Sequence, residues 1–307
     1  MTVIVRDFRP ADAEAWVRVR RAALPYMVTT VDQVLGDLAC AGPAMRYRPL
    51  VAEEEGEVIA TARVGLAHES PQPGLGFCNP YTHPDRTGRG AGSLLVSAAE
   101  EYLADVGARS VHTWVLDEPA NRAFAEKRGY VASRSAHFLH LDLAHGTLPP
   151  LQEPPPGTEL RTGADFADDP RPLFDADAEV TADEPSDTPA ELSDYEDWLT
   201  SVWRKPGFDQ ELTSVVTVDG EVAAFSAART DGSARYSSAM TGTRRAFRGR
   251  GLAKLAKNHS LHRARAAGYT DAYTGNDTGN GPMLSVNAWF GYTVCATEVR
   301  HVRHLIR

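Results

Sequence analysis

The sequence predicts an α+β chain of two tandem domains, and three observations carry that expectation. An uncharged β-prone run from Tyr236 to Thr243, a glycine-rich turn and a helix start stand adjacent within Thr241 to Lys257, with Leu252, Leu255 and Ala256 on one helical face. The same arrangement occurs earlier: a strand reaching Tyr81-Thr82-His83-Pro84, the turn Arg86-Thr87-Gly88-Arg89-Gly90-Ala91-Gly92, and a helix with Leu94, Leu95, Ala98, Ala99 and Tyr102 on one face. The landmarks of the two copies also keep one spacing. Gly251 lies 161 residues after Gly90, Gly268 lies 161 after Gly107, Gly291 lies 162 after Gly129, and Gly220 lies 164 after Gly56, where both read Gly-Glu-Val. A near-constant offset across the half-chain is an internal duplication.

Taken in order, Val3 to Val5 reads as a first strand and Arg9-Pro10-Ala11-Asp12 as a helix entry, with proline near the first turn. Ala13, Trp16, Val17, Ala23 and Leu24 then give helical spacing, which assigns Trp16 to the core. A second helix is expected over Thr30 to Ala39, and a hairpin around Glu55-Gly56 joins Pro49–Glu53 to Val58–Ala62. Between the copies, His145 to Gly157 carries proline at a density that no helix or central strand tolerates. The expected division is therefore 1–146, a linker 147–158, and 159–307, restarting at Glu159-Leu160-Arg161. From Asp165 to Asp197 the chain is strongly acidic, and Ser193-x-x-Glu196 resembles a capping box ahead of Trp198, Leu199, Val202 and Trp203.

A length of 307 residues suffices for two domains of ordinary size, and 42 % apolar residues support packed cores. The net charge of −9 argues against a nucleic-acid backbone as partner. It suits a cationic partner or simply solubility. Cys40, Cys78 and Cys295 are far apart and odd in number, with no metal-like His/Cys spacing, which points to a reducing cytoplasm and to no metal. No signal-peptide pattern opens the chain and no apolar run reaches membrane-spanning length, so a soluble intracellular protein is expected.

The turn Arg248-Gly249-Arg250-Gly251-Leu252-Ala253 carries the chemistry. A helix start presents backbone N–H groups without intrahelical partners and favours anions, and glycines let a ligand approach the backbone. The bland alternative is a structural β-to-α turn with two exposed arginines. A P-loop string is absent, and the dinucleotide fingerprint fails because Lys254 stands where its third glycine belongs.

Arg/Gln-x-x-Gly-x-Gly/Ala is satisfied by Arg248, Gly251 and Ala253. There the chain resembles the GNAT acyltransferase superfamily, and the likeness continues through Gly268-Tyr269, the strand Ala272-Tyr273-Thr274, the run Asn276 to Asn287, and Gly291-Tyr292. The resemblance implies two tandem GNAT-like domains, each a mixed, mostly antiparallel sheet flanked by helices. It implies acetyl-CoA as co-substrate, transfer to a primary amine of a small molecule or protein, and direct attack in a ternary complex. The cofactor contacts it implies are Thr241, Gly242, Thr243, Arg248, Gly249, Arg250, Gly251, Leu252, Ala253, Asn276 and Asn280, with Arg89, Gly90 and Gly92 as the counterparts in the first copy. Gly242 is the expected site of the strand bulge that frees an oxyanion-binding N–H.

The family's usual acid is a tyrosine four residues before the closing glycine. Here that position is Asn287 in the second copy and Ala125 in the first. Asn287 retains an amide donor, and Tyr292, Tyr273 and Tyr236 are further proton sources among which the sequence does not choose. Glu184, followed by Pro185, matches an acidic-Pro element of some relatives and is the expected base, with Asp183 behind it. Thr87 stands where arginine or glutamine is expected in the first copy, so the second copy is read as the transferase. The first is then a degenerate copy or a second cofactor site. An acyl-CoA-binding module without catalysis is the alternative, motivated by the missing tyrosines. Either a monomer of two pseudo-equivalent domains or a homodimer is compatible with the duplication.

Overall fold

The computed structural model describes residues 2–305. In chain order the elements are β1 (Val3–Asp7), α1 (Ala13–Ala23), α2 (Val31–Ala39), β2 (Leu50–Glu54), β3 (Glu57–Leu66), β4 (Leu75–Thr82), α3 (Ala91–Asp105), β5 (Ser110–Leu116), α4 (Pro119–Glu126) and β6 (Val131–Asp142). The second copy continues with β7 (Thr158–Thr162), α5 (Arg171–Ala182), α6 (Tyr195–Trp198), β8 (Phe208–Val218), β9 (Glu221–Thr230), β10 (Arg235–Thr243), α7 (Leu252–Ala266), β11 (Asp271–Asp277), α8 (Gly281–Phe290) and β12 (Thr293–His304).

The chain forms two compact units: one of residues 1–136, 187–189 and 296–307, the other of 137–186 and 190–295. This differs from the division at the proline-rich segment. The first unit takes the end of β12, whose Glu298–His304 pair antiparallel with Ser110–Leu116 of β5. The second takes the end of β6, which lies beside β11. Strand pairing is long-range, so chain order alone does not say which terminal strand completes which sheet.

In the first unit the strand order is β1-β2-β3-β4-β5-β12, antiparallel except for β4 with β5. The hairpin turn forms at Glu55 and Gly56, both at positive φ (54° and 84°). Leu95, Ala99 and Leu103 of α3 pack on Ala60, Ala62, Val64 and Val111, whereas Leu94, expected on that face, is 43 % exposed. The helix turns Val96 inward instead. Trp16 is buried against the edge of Phe8 with ring centroids 5.2 Å apart. Thr30 caps α2 by accepting from the Gln33 N–H at 3.1 Å.

The second unit repeats this order as β7-β8-β9-β10-β11-β6, with β10 and β11 the parallel pair. The proline-rich segment is strapped along α7: the Gln152 N–H donates to Asn258 Oδ1 at 2.8 Å, and His262 Nε2 lies 2.8 Å from the Pro149 carbonyl oxygen. Ahead of Trp198 the cap is Asp194, not Ser193, its carboxylate accepting from the Asp197 N–H at 3.0 Å. Trp198 in turn donates from Nε1 to the buried Asp177 at 2.8 Å, joining α6 to α5. No helix of the described residues is long and apolar enough to cross a membrane.

Candidate active site

The glycine turn of the second unit has the backbone form an anion cradle needs. Gly249 and Gly251 adopt φ of +79° and +75°, and a Cβ built on either would meet nothing within 4 Å. Gly251 is the N-cap of α7, whose first intrahelical bond runs from the Leu255 N–H to the Gly251 carbonyl at 3.0 Å. The N–H groups of Leu252, Ala253 and Lys254 therefore precede the helix ladder. Leu252 anchors the turn by burying its side chain, while Arg248 and Arg250 are exposed. The first unit builds the same turn, with Gly88 and Gly90 at φ of +78° and +85° and Gly90 capping α3. A Cβ built on its Gly92 would lie 3.4 Å from Phe124, and Arg89 is ion-paired to Glu54.

The loop arginines of the second unit are held from α5. Asp183 accepts from Arg245 at 2.8 and 2.6 Å and also from Arg248, while Glu179 accepts from Arg244 at 3.0 Å. The two arginines hold the Asp183 carboxyl down at about 2. With both oxygens engaged and its basicity lowered, it is a poor proton acceptor. Asp183→Asn is expected to release Arg245 and Arg248 and to tighten the binding of inorganic pyrophosphate at low salt by about two- to fivefold, the scale of exposed ion pairs. Calorimetric titration checks this, and weaker binding would show instead that Asp183 organises the arginines for the ligand.

β10 and β11 pair only over Arg235–Ser237 and Asp271–Tyr273, after which no further register is kept. The β-bulge falls between Ser238 and Met240 rather than at Gly242, which stays in register opposite Phe225. Gly242 has a different reason to be glycine: a Cβ there would lie 2.3 Å from Val180 of α5. Thr241 and Ser226 share a hydroxyl hydrogen bond of 2.9 Å, and the Thr243 carbonyl accepts from Arg248 Nε at 3.2 Å.

Near this opening a buried polar chain joins Asn276 and Asn287, both expected from the sequence, to Lys257, which sequence reasoning missed. Lys257 of α7 is 1 % exposed, and its Nζ donates to Asn287 Oδ1 at 2.6 Å. Lysine is donor-only, so the amide oxygen of Asn287 must face it and the amide nitrogen must face away. That nitrogen donates to Asn276 Oδ1. Lys257 also sits over the Tyr292 ring at 4.8 Å. Burial pulls the lysine down to about 7 and pushes the Tyr292 phenol far up. Tyr292 is thus the weaker acid of the two, and Tyr236 is occupied in the core by Ser260 at 2.6 Å.

Of the other expected residues, Asn280 spends its side-chain oxygen capping α8, accepting from the Met283 N–H at 3.3 Å. Glu184 is exposed just past the end of α5, its N–H donating to the Thr181 carbonyl at 3.1 Å. In the first unit Ala125 is buried where Asn287 stands in the second. The only sequence trace of Lys257 is its place next to the apolar face of α7. It is buried against Asn287 of α8 and the ring of Tyr292.

The comparisons with known proteins bear on the fold. Residues 16–130 match the Acetyltransferase (GNAT) family. The whole chain superposes on a tandem GNAT protein from the clavulanic acid biosynthesis pathway, with a TM-score of 0.74, 20 % identity, and coverage of 99 % of this chain and 98 % of that one. A GCN5-related N-acetyltransferase from Sphaerobacter thermophilus gives 0.72 and 23 % over 98 % and 95 %. Among curated relatives, the mycothiol acetyltransferase of Frankia casuarinae is 31 % identical over 55 % of this chain and 48 % of its own. The aminoglycoside N(6')-acetyltransferase type 1 of Stenotrophomonas maltophilia is 29 % identical over 35 % and 71 %. This chain therefore spans about half the length of the first of these relatives. Residues 16–130 are thus similar to the GNAT family, and the chain as a whole has the tandem GNAT fold. The family match falls on the first half, the half that the sequence motifs rank second.

Proposed function

We propose that the second unit transfers an acetyl group from acetyl-CoA to a primary amine of a small molecule or protein, by direct attack in a ternary complex. The observation that carries this reading is the buried Lys257–Asn287–Asn276 chain beside an open glycine cradle. The acetyltransferase names of the curated relatives support it. When bound, acetyl-CoA supplies an activated acyl group and a thiol leaving group.

The residues present fit that group. The N–H groups at the start of α7, with Gly249, Gly251 and Arg250, hold a diphosphate, and the splayed edge of β10 at Thr241 to Thr243 holds the arm that follows. The Asn287 amide is oriented by Lys257 and donates to Asn276 Oδ1, and Lys257 holds a proton near neutrality. Glu184 receives the proton of the incoming amine, directly or through water. Asn280 serves the same ligand by fixing the start of α8. The acidic surface fits a cationic acceptor, and Cys40, Cys78 and Cys295, all free thiols, fit a cytoplasmic setting.

The test is thiol release from acetyl-CoA against a panel of primary amines. Turnover with at least one amine is expected, and cofactor affinity without thiol release would favour a binding module instead. Glu184→Gln is expected to lower kcat at pH 7 and to approach the wild type as rising pH deprotonates the amine. An unchanged pH profile would remove Glu184 as the base. A second reading, in which the first unit binds acetyl-CoA through Arg89, Gly90 and Gly92, is favoured by the family match at residues 16–130.

A further inference from the structure

The first unit contains a cavity of about 180 Å³ that none of the chemistry above uses. It lies on the sheet face turned away from α3, since Val111 and Thr113 of β5 are buried while His112 and Trp114 point the other way. Its walls include Phe77, Asn79, His112, Trp114, Thr188 and Arg300. It sits along the beginning of β4, whereas the glycine turn at Gly88 and Gly90 follows that strand's far end.

Two buried polar atoms of this lining have no partner among the described residues: Arg300 Nε and His112 Nδ1. Buried polar atoms are nearly always satisfied, so two orphans on one cavity call for an occupant. Arg300 stands opposite Trp114 in the β5–β12 register, with its guanidinium 4.4 Å from the indole centroid. Its Nη1 is taken, donating to Thr188 Oγ1 at 2.6 Å and to Asp187. The Nε–Nη2 edge is left, and that edge is the fork that grips a carboxylate in bidentate fashion.

The local charge also favours an anion. Arg300 Nη1 and Arg134 Nη1 both lie within ion-pair distance of the single carboxylate of Asp187. Glu298 lies two positions earlier on β12, and burial raises its carboxyl to about 7, so it is only partly ionised at neutral pH. His112 Nε2 is 3.1 Å from the Ser110 hydroxyl. When that hydroxyl donates, Nδ1 carries the hydrogen and is a second buried donor at the cavity wall. Burial and Arg300 keep the imidazole uncharged.

We infer that this cavity is a binding site for a small monocarboxylate, its carboxylate gripped by the free edge of Arg300 beside His112 and its flat or apolar body between Phe77 and Trp114. The volume is below the roughly 300–1,000 Å³ of drug-sized pockets, which limits the occupant to a compact molecule. The site is independent of transfer in the second unit.

The test is calorimetric titration of the full chain with benzoate and with its neutral isostere benzamide. Saturable 1:1 benzoate binding is expected, with benzamide weaker by at least about tenfold. Arg300→Lys keeps a cation but removes the fork, and should cost benzoate at least about tenfold with an unchanged circular dichroism spectrum. His112→Leu provides the same test away from the Asp187 ion pairs and should also weaken benzoate. Equal affinity for benzoate and benzamide, no saturable benzoate binding below about 10 mM, or unchanged affinity in both folded variants would overturn the inference.

Discussion

Replacing Lys257 with methionine is expected to lower kcat by about 100-fold with little change in the KM for acetyl-CoA, the low end for losing one preorganised donor. The side chains have similar length and the site is buried, so the loss is mainly electrostatic: Asn287 Oδ1 loses its charged partner and the amide its fixed direction. The wild type should also lose activity as pH rises through about 7, where the ammonium deprotonates, and the variant should lack that limb.

Stability should move the opposite way. The folded pKa of Lys257 lies near 7 and its ordinary value is 10.5, so between these the unfolded chain binds the extra proton. Burial of this lysine is therefore most costly below pH 7, and the cost fades as pH rises toward 10.5, by up to about 1.4 kcal/mol per pH unit. Urea denaturation at pH 6 and pH 9 should show wild-type stability climbing more steeply with pH than that of Lys257→Met. Parallel pH dependences would mean that the lysine is not held near neutrality.

The second large effect is expected from Gly251→Glu, which should cost acetyl-CoA at least about 100-fold in affinity while the protein stays folded. The left-handed φ of +75° costs a non-glycine residue about 1–2 kcal/mol. No atom lies within 4 Å of the new Cβ, and a carboxylate at a helix N-terminus recovers about 0.3–1 kcal/mol. The substitution is thus mild for the fold and severe for a diphosphate, because it sets a like charge in the cradle. Near wild-type affinity in a folded variant would show that the turn is structural.

What the sequence reveals of this protein is what is local in the chain. The Glu55-Gly56 hairpin, the Thr30 cap and the glycine caps of α3 and α7 are each written within a few residues, and the duplication is visible because those signals recur at one spacing. What was hidden depends on distant pairing. Gly242 invited a bulge, yet its glycine answers to Val180. Asp183 reads in sequence as a candidate base behind Glu184, whereas Arg245 and Arg248, distant in the chain, hold its carboxylate. Lys257 gave no hint of burial, since its partners Asn287 and Tyr292 are on other elements. The exchange of β6 and β12 brings Arg300 to Trp114, a pairing that no local pattern announces.

Titration of acetyl-CoA into the wild type, Gly90→Glu and Gly251→Glu tests most directly whether the second unit is the working transferase. One site that survives Gly90→Glu and disappears with Gly251→Glu is the predicted result. A site lost only with Gly90→Glu would contradict it, and would place the cofactor in the first unit, where the family match lies.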